Sequence, residues 1–510
     1  MSQRQVIIVI LAAAGGLSLA ALDSTIVNTA LATIVGDLGG LRAYTWVGTA
    51  YLLTSTAATP LFGKISDIYG RRRTFQVAIV VFILGSIACG LAQDMTQLVL
   101  ARGIQGVGGG GLFSMAFVIL GDVVAPRERG RYVGIFTSTF TVASVIGPLL
   151  GGFFVDQLTW RWIFWINIPI GILVLIVTNR TLHLPWSRQS QRVDILGATL
   201  LVAGTSSLLM GLSWSSEEYG WTAPATLGLM LAAVILGVGF VGWERRAPVP
   251  IVPLRLFRID VVRAVAPAMV VAGAMLYGAN AFLPLFLQAV TGVSATSSGL
   301  LLIPLALAVA VSATAIGRVI SATGRYKVWP IAGAASMGVG FGILSFLQGT
   351  TGWVIVAMGA MVLIGAGIGA VMPTTTVAVQ NAVEWSDLGA GSSLVLFLRS
   401  LGGAIGLACY GALLNAQVAG RIDPELLQRP REIRDLPDEV RSDALDVLTD
   451  GITTVFLWAV PLAVIALIFM VMMPERPLRT SSALERQSSE TQADSEPTSQ
   501  AQRAVPTSEG

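Results

Sequence analysis

The apolar positions of this chain form runs of about twenty residues, each long enough as a helix to cross the hydrocarbon core of a bilayer. Polar positions gather between the runs. The runs fall near 7–33, 44–62, 74–92, 98–120, 132–155 and 162–179, then 194–213 and 225–243, then 264–289, 296–317, 328–347, 353–376, 391–414 and 451–473. None has the period-two alternation of a membrane strand, which excludes a β-barrel. The pattern predicts an all-α polytopic membrane protein with 14 spans. A first six-helix half covers 1–179, two inserted helices with cytoplasmic linkers cover 180–263, and a second six-helix half covers 264–473. The loop 415–450 is expected to form a small amphipathic cap on the outer face, and the Ser-, Thr-, Gln- and Glu-rich tail 474–510 to be disordered in the cytoplasm.

Charge placement tests this count independently, because cytoplasmic loops collect Lys and Arg. Arg71 to Arg73, then Arg127, Arg129 and Arg131, then Arg180, Arg188 and Arg192, then the Arg245–Arg263 stretch, then Arg318, Arg325 and Lys327 follow successive even-numbered spans. Both termini are therefore expected in the cytoplasm. The first run, Val6 to Val35, is too long for the apolar core of a signal peptide and is expected to be a retained helix.

Composition narrows the function classes. Of 510 residues, 54% are hydrophobic and 12% charged, with a mean hydropathy of +0.74, whereas a soluble domain carries about 25% charged residues. That excludes a soluble enzyme, and the pI near 9.0 reflects topology rather than nucleic-acid binding. The single histidine, His183, lies in a polar connection, and Cys89 and Cys409 sit in apolar runs. No metal site or catalytic triad can be assembled from them. Gly106, Gly108 and Gly111 have dinucleotide-fingerprint spacing, but no strand precedes them, and small residues inside a span serve helix packing. There is no Walker A sequence, so the expected energy source is an ion gradient, with no cofactor. Arginines outnumber the two lysines, Lys64 and Lys327, fifteen to one, which suggests a GC-rich bacterial genome and a plasma-membrane location.

The halves repeat each other. Gly63 and Gly70 stand seven apart after the second span, followed by Arg71 and Arg73; Gly317 and Gly324 stand seven apart after the tenth, followed by Arg325 and Lys327. Two repeated halves with sites at their interface are the architecture of many secondary transporters.

The stretch GKISDIYGRRRTF, Gly63 to Phe75, resembles the signature loop of the major facilitator superfamily, and the 14-span pattern resembles its drug:proton antiporters. The resemblance implies the major facilitator fold and a gate built from Gly63, Asp67, Gly70, Arg71 and Arg72, with Asp67 capping a helix end or pairing with arginine. The repeat has Ser321 in place of that aspartate, so the second gate is expected to be degenerate. VIGPLLGGFF, Val145 to Phe154, resembles the exporters' fifth-span motif; Gly147, Pro148, Gly151 and Gly152 are expected to make a kinked, close-packing hinge.

Asp23, in LDSTIVNTALA, is an acid inside an apolar helix, where an ionised carboxylate is costly unless paired. Two readings stand: it carries protons, or it is tied permanently to a neighbouring helix. The stretch resembles the first-helix motif of the 14-span antiporters, with Ala32 where proline is usual. Arg102, in ARGIQGVGGGG, matches the superfamily's fourth-helix motif; it either pairs with Asp23 in one state and releases it in the other, or snorkels to the outer interface. Asn28, Gln105, Tyr277, Asn280 and Gln288 are candidates for the substrate cavity or, equally, for hydrogen-bonded packing, and Arg399 is read as lying near a cytoplasmic helix end, for packing or gating.

The expected function is a proton-coupled antiporter, not an enzyme, acting as a monomer in membrane lipid. Its expected substrates are lipophilic cationic or neutral drug-like compounds, since Asp23 is the one acid available to both proton and cation. Export of a lipid or native metabolite, and a non-transporting sensor or scaffold of the same fold, are the alternatives.

Overall fold

A computed structural model of the chain describes residues 3–38, 44–182, 194–217, 220–291, 293, 295–347, 353–418, 421 and 438–479. Fourteen long helices follow one another: α1 Gln3–Leu38, α2 Tyr44–Tyr69, α3 Arg71–Leu91, α4 Met95–Val123, α5 Pro126–Gln157, α6 Asn167–Thr181, α7 Ile195–Glu217, α8 Pro224–Glu244, α9 Asp260–Leu285, α10 Ile303–Thr323, α11 Val328–Leu344, α12 Trp353–Ala382, α13 Leu388–Val418 and α14 Asp438–Met472. The described residues contain eleven stretches long and apolar enough to cross a membrane, and Val328–Leu344 adds a shorter apolar helix.

Two helix ends show why glycine repeats. Gly70 starts α3 at φ 90°, and Gly324 ends α10 at φ 74°. L-residues avoid positive φ, so both halves use glycine to turn after their second helix.

Separate apolar cores hold the halves. The first packs Leu17, Phe75, Phe82, Leu112 and Phe136, whereas the second packs Met269, Phe341, Met361 and Phe456. The inserted α7 lies against α2 and α13, and α8 lies against α7. Between the halves, α2 meets α13 and α5 meets α10. Each contact joins the second helix of one half to the fifth of the other, as a two-fold repeat requires.

At the end that carries the arginine-rich loops, these contacts are backbone to backbone. A Cβ at Gly63 would lie 2.8 Å from the Gly389 carbonyl of α13 and 2.6 Å from Ser393 Cβ, and one at Gly130 would lie 2.6 Å from Gly317 Cα. Arg127 Nε and Nη2 donate to the Ser321 and Ala322 carbonyls at 3.1 and 3.2 Å. Arg129 is buried, with Nη1 donating to Gln380 Oε1 at 3.0 Å and Nε to the Val124 carbonyl at 2.8 Å. Gln380 Nε2 donates in turn to the Phe117 carbonyl at 3.0 Å. Arginines whose positions suggest only topology therefore hold the seam shut.

Two sequence expectations need correction. Residues 438–450, expected in a separate cap, begin α14, because Ala444 and Leu448 bury their apolar face in the second core; 422–437 lie outside the described residues. Residues 474–479 of the tail form a strap across the arginine-rich end. Arg476 N donates to Tyr326 Oη at 2.9 Å, Arg479 N to Asn381 Oδ1 at 3.0 Å, and Asn381 Nδ2 to the Pro477 carbonyl at 3.1 Å. The strap also accepts the Arg127 N–H of α5, so it spans both halves. Deleting 474–510 is expected to lower thermal stability by about 1 kcal/mol per bond lost, whereas deleting 480–510 leaves the melting temperature in place; equal effects would remove the strap's role.

At the opposite end, beyond the apolar part of α1, Asp37 accepts from Trp160 Nε1 at 2.8 Å and Arg161 Nη1 at 3.2 Å. The indole first, and then the guanidinium, hold its carboxyl below the usual carboxylate range. This tie is complete at neutral pH and is lost as the pH falls through that lowered range.

Candidate functional site

The glycines of α4 decide where its polar side chains go. A Cβ at Gly85 of α3 would lie 2.5 Å from Gln105 Cα, and one at Gly108 would overlap the Phe82 backbone, so α3 and α4 touch along their main chains. Gly106, Gly109 and Gly110 do the same towards Tyr51, Thr54 and Ser55 of α2. Such close approach carries Arg102 and Gln105 into the centre of the first half.

There they meet Asp23. Its Oδ2 accepts from Arg102 Nη1 at 2.5 Å, and its Oδ1 from Gln105 Nε2 at 2.7 Å and Asn167 Nδ2 at 3.0 Å. Ser86 Oγ accepts from both amides, at 3.1 and 3.0 Å, and donates to the Phe164 carbonyl at 2.8 Å. Arg102 Nη1 also donates to Gln105 Oε1 at 2.7 Å, and the Tyr51 ring lies 4.3 Å from its Cζ. Asp23 and Arg102 are 0% and 2% exposed, so Arg102 does not snorkel. Both carboxylate oxygens are occupied, and the charge is neutralised where water does not reach.

Gln105, a candidate for the cavity, belongs to this carboxylate cage instead. Asn167, Ser86 and Tyr51 complete it and are legible in the sequence only as polar groups in apolar helices. Gly147 touches the same turn of α1: a Cβ there would lie 2.7 Å from Thr25 Cβ, and Thr25 Oγ1 donates to the Ala143 carbonyl at 3.0 Å. The exporters' motif therefore packs α5 against the helix that carries Asp23. Gly152 does not share that packing, since its Cβ would meet open space. Gly151 is buried, α5 continues as one helix through the motif, and the Pro148 side chain lies outside the described residues.

The signature loop forms a second polar cluster. Arg71 Nε donates to Asp122 Oδ2 at 2.6 Å, and Arg71 Nη1 to Ser66 Oγ at 2.6 Å and to Asp67 Oδ1. A Cβ at Gly389 would lie 2.5 Å from Asp67 Oδ1, so the carboxylate rests against the first turn of α13, where a helix N-terminus favours negative charge. Arg72 reaches Asn179 instead. Arg71→Ala is expected to leave Asp67 buried without its hydrogen-bonded guanidinium and to cost about 3–5 kcal/mol; a melting temperature unchanged from wild type would show that the cluster does not hold this end.

Of the remaining candidates, the Asn28 side chain lies outside the described residues. Tyr277 is half-buried with its ring against Gly403, and Asn280 is exposed on α9 and donates back to the Leu276 carbonyl at 2.9 Å. Gln288 sits in the π-helical turn Phe286–Val290 and reaches Ser298 Oγ at 3.5 Å. Arg399, read as near a helix end, is the twelfth residue of the 31-residue α13, because that helix starts at Leu388, ahead of the apolar run.

The family model of the Major Facilitator Superfamily matches residues 13–407. The chain belongs to the Major Facilitator Superfamily. This transporter is 38% identical over 407 residues to the multidrug transporter protein MdtP of Bacillus subtilis, covering 80% of this chain and 75% of that protein. It is 32% identical over 498 residues to multidrug resistance protein 3 of the same organism, covering 92% and 96%. An uncharacterized MFS-type transporter of Mycobacterium tuberculosis is 36% identical over 473 residues, 91% of this chain and 69% of the relative. The fold is that of the proton:xylose symporter XylE, with a TM-score of 0.62 at 15% identity over 96% of this chain and 100% of that one. As a member of a transporter family, the chain is not an enzyme.

Proposed function

We propose that this transporter is a proton-coupled exporter of lipophilic, drug-like compounds that works by alternating access in a bacterial cell membrane. The observation that carries this reading is the wholly buried Asp23, with both oxygens bound by Arg102, Gln105 and Asn167. A carboxylate kept at such cost inside a membrane helix marks a proton or ion pathway. Export is supported by the names of the relatives, which are multidrug proteins and, at 36% identity, the efflux pump FUS6 of Gibberella moniliformis.

The cycle follows from the contacts. With the arginine-rich, cytoplasmic end shut, substrate leaves outward and a proton enters to neutralise Asp23. Freed from its counter-ion, Arg102 relaxes, the packing of α1 on α5 loosens, and the halves rock so that the proton departs to the cytoplasm. The protein serves as a monomer, with the proton gradient in place of a cofactor.

Proteoliposomes with an imposed pH gradient test this directly. Adding a lipophilic substrate should release protons, and collapsing the gradient with a protonophore should stop substrate movement. Substrate movement that persists at full rate without a gradient would overturn the coupling.

A further inference from the structure

Among the described residues, Arg399 of the second half has no ion-pair partner. Arg399 lies about 16 Å along α13 from its arginine-rich end, near the middle of a bilayer about 30 Å thick and beyond the reach of a snorkelling side chain. The described carboxylates nearest in kind are engaged elsewhere. Arg102 holds Asp23, Arg71 holds Asp67 and Asp122, and Arg255 holds Asp387. Arg399 Nε is buried and has no hydrogen-bond partner.

The Arg399 carbonyl packs against Gly273 of α9, and Tyr277, one turn further along α9, lays its ring over Gly403, one turn further along α13. Leu396, three residues before Arg399 and so on the same face of α13, packs in the apolar core of the first half, which sets Arg399 on the side of α13 that faces the other half. The expectation of cationic substrates depends on Asp23 being free to meet them, and its oxygens are taken. The charge left over between the halves is positive.

We propose that Arg399, with the Tyr277 hydroxyl, receives the anionic oxygen group of an amphiphilic substrate, a carboxylate or phosphate on an apolar body. A guanidinium offers two parallel donors to such a group, and a phenol adds a third. The proposal rests on the transporter reading above and gives its lipophilic substrate an anionic head group, in place of the cationic or neutral one expected from the sequence.

The test uses the purified full-length protein in detergent and a fluorescent series with one aromatic body and three charges: 1-pyrenebutyrate, its methyl ester and 1-pyrenebutylamine. Wild type should bind the butyrate about tenfold more tightly than either partner, as a charge-assisted pair predicts. Arg399→Gln should erase that preference, Arg399→Lys should keep part of it, and Asp23→Asn should not alter it. Because Arg399→Gln removes an unpaired, half-buried charge, its melting temperature should equal or exceed that of wild type; a lower one, with loss of the monodisperse peak, would make Arg399 a structural residue and overturn the proposal. Equal binding of the three compounds, preference for the amine, or a butyrate preference indifferent to Arg399 would also overturn it. Competition by phosphatidylglycerol but not phosphatidylcholine, dependent on Arg399, would place the anion on a lipid, and no competition by either would place it on a small amphiphile; both support the site. Proton release is recorded in parallel. Protons moving with the amine and no butyrate preference would leave the exporter standing and the anion site fallen, whereas Arg399-dependent binding without proton movement would do the reverse.

Discussion

On the proposed function, Asp23→Asn is expected to abolish substrate-driven proton movement, down to the level of empty liposomes, and to destabilise the protein by about 3–5 kcal/mol, the cost of breaking a buried ion pair. The loss has two separable parts. Asparagine offers one acceptor oxygen where Arg102, Gln105 and Asn167 now share two, so Arg102 is left charged and uncompensated among apolar helices. That part is structural, and Asp23→Asn/Arg102→Gln, which removes both charges, should recover most of the melting temperature. Proton movement should not recover, because no group on α1 remains to carry the proton. A double variant that still releases protons on adding substrate would show that Asp23 merely braces the first half.

The second large effect comes from a residue with no side chain. Gly317→Val places branched carbons against the main chain of Gly130, and nothing there can rotate away. Overpacking of this kind costs about 1–3 kcal/mol. It applies only while the arginine-rich end is shut, so the equilibrium between the two access states shifts by about 5–150-fold towards the open cytoplasmic side. Transport should fall by a similar factor while the fold persists. Ser393, buried against Gly63 at the same end, reports the change. In a background without Cys89 and Cys409, Ser393→Cys should resist a membrane-impermeant maleimide in the otherwise wild-type protein and react with it when Gly317→Val is added. Resistance in both would mean that the seam closes by some other contact.

Much of this was legible before any coordinates. The helix count follows from runs of apolar residues, which the bilayer forces into helices because backbone groups have no other partners there. Gly63, Gly70, Gly317 and Gly324 announce themselves by spacing, and Asp23 and Arg102 by their cost. What escapes is partner choice. Asn167 and Ser86 look like ordinary polar residues in apolar helices, and only the approach of α3 and α4 brings them to Asp23. Arg127 and Arg129 satisfy a topology rule so well that their bonds to Ser321, Ala322 and Gln380 leave no further trace. The depth of Arg399 is misjudged because α13 begins before its apolar run, and the start of the tail because Tyr326 and Asn381, far away in sequence, supply its hydrogen bonds.

The glycine-to-glycine meeting of α5 and α10 also sets how the transporter leaks. Attraction between bare main chains fades within about 1 Å of separation, having no long side chains to bridge a widening gap. Such a closure snaps instead of stretching. Partly open arrangements gain nothing from it, so few molecules dwell between the closed seam and the open one.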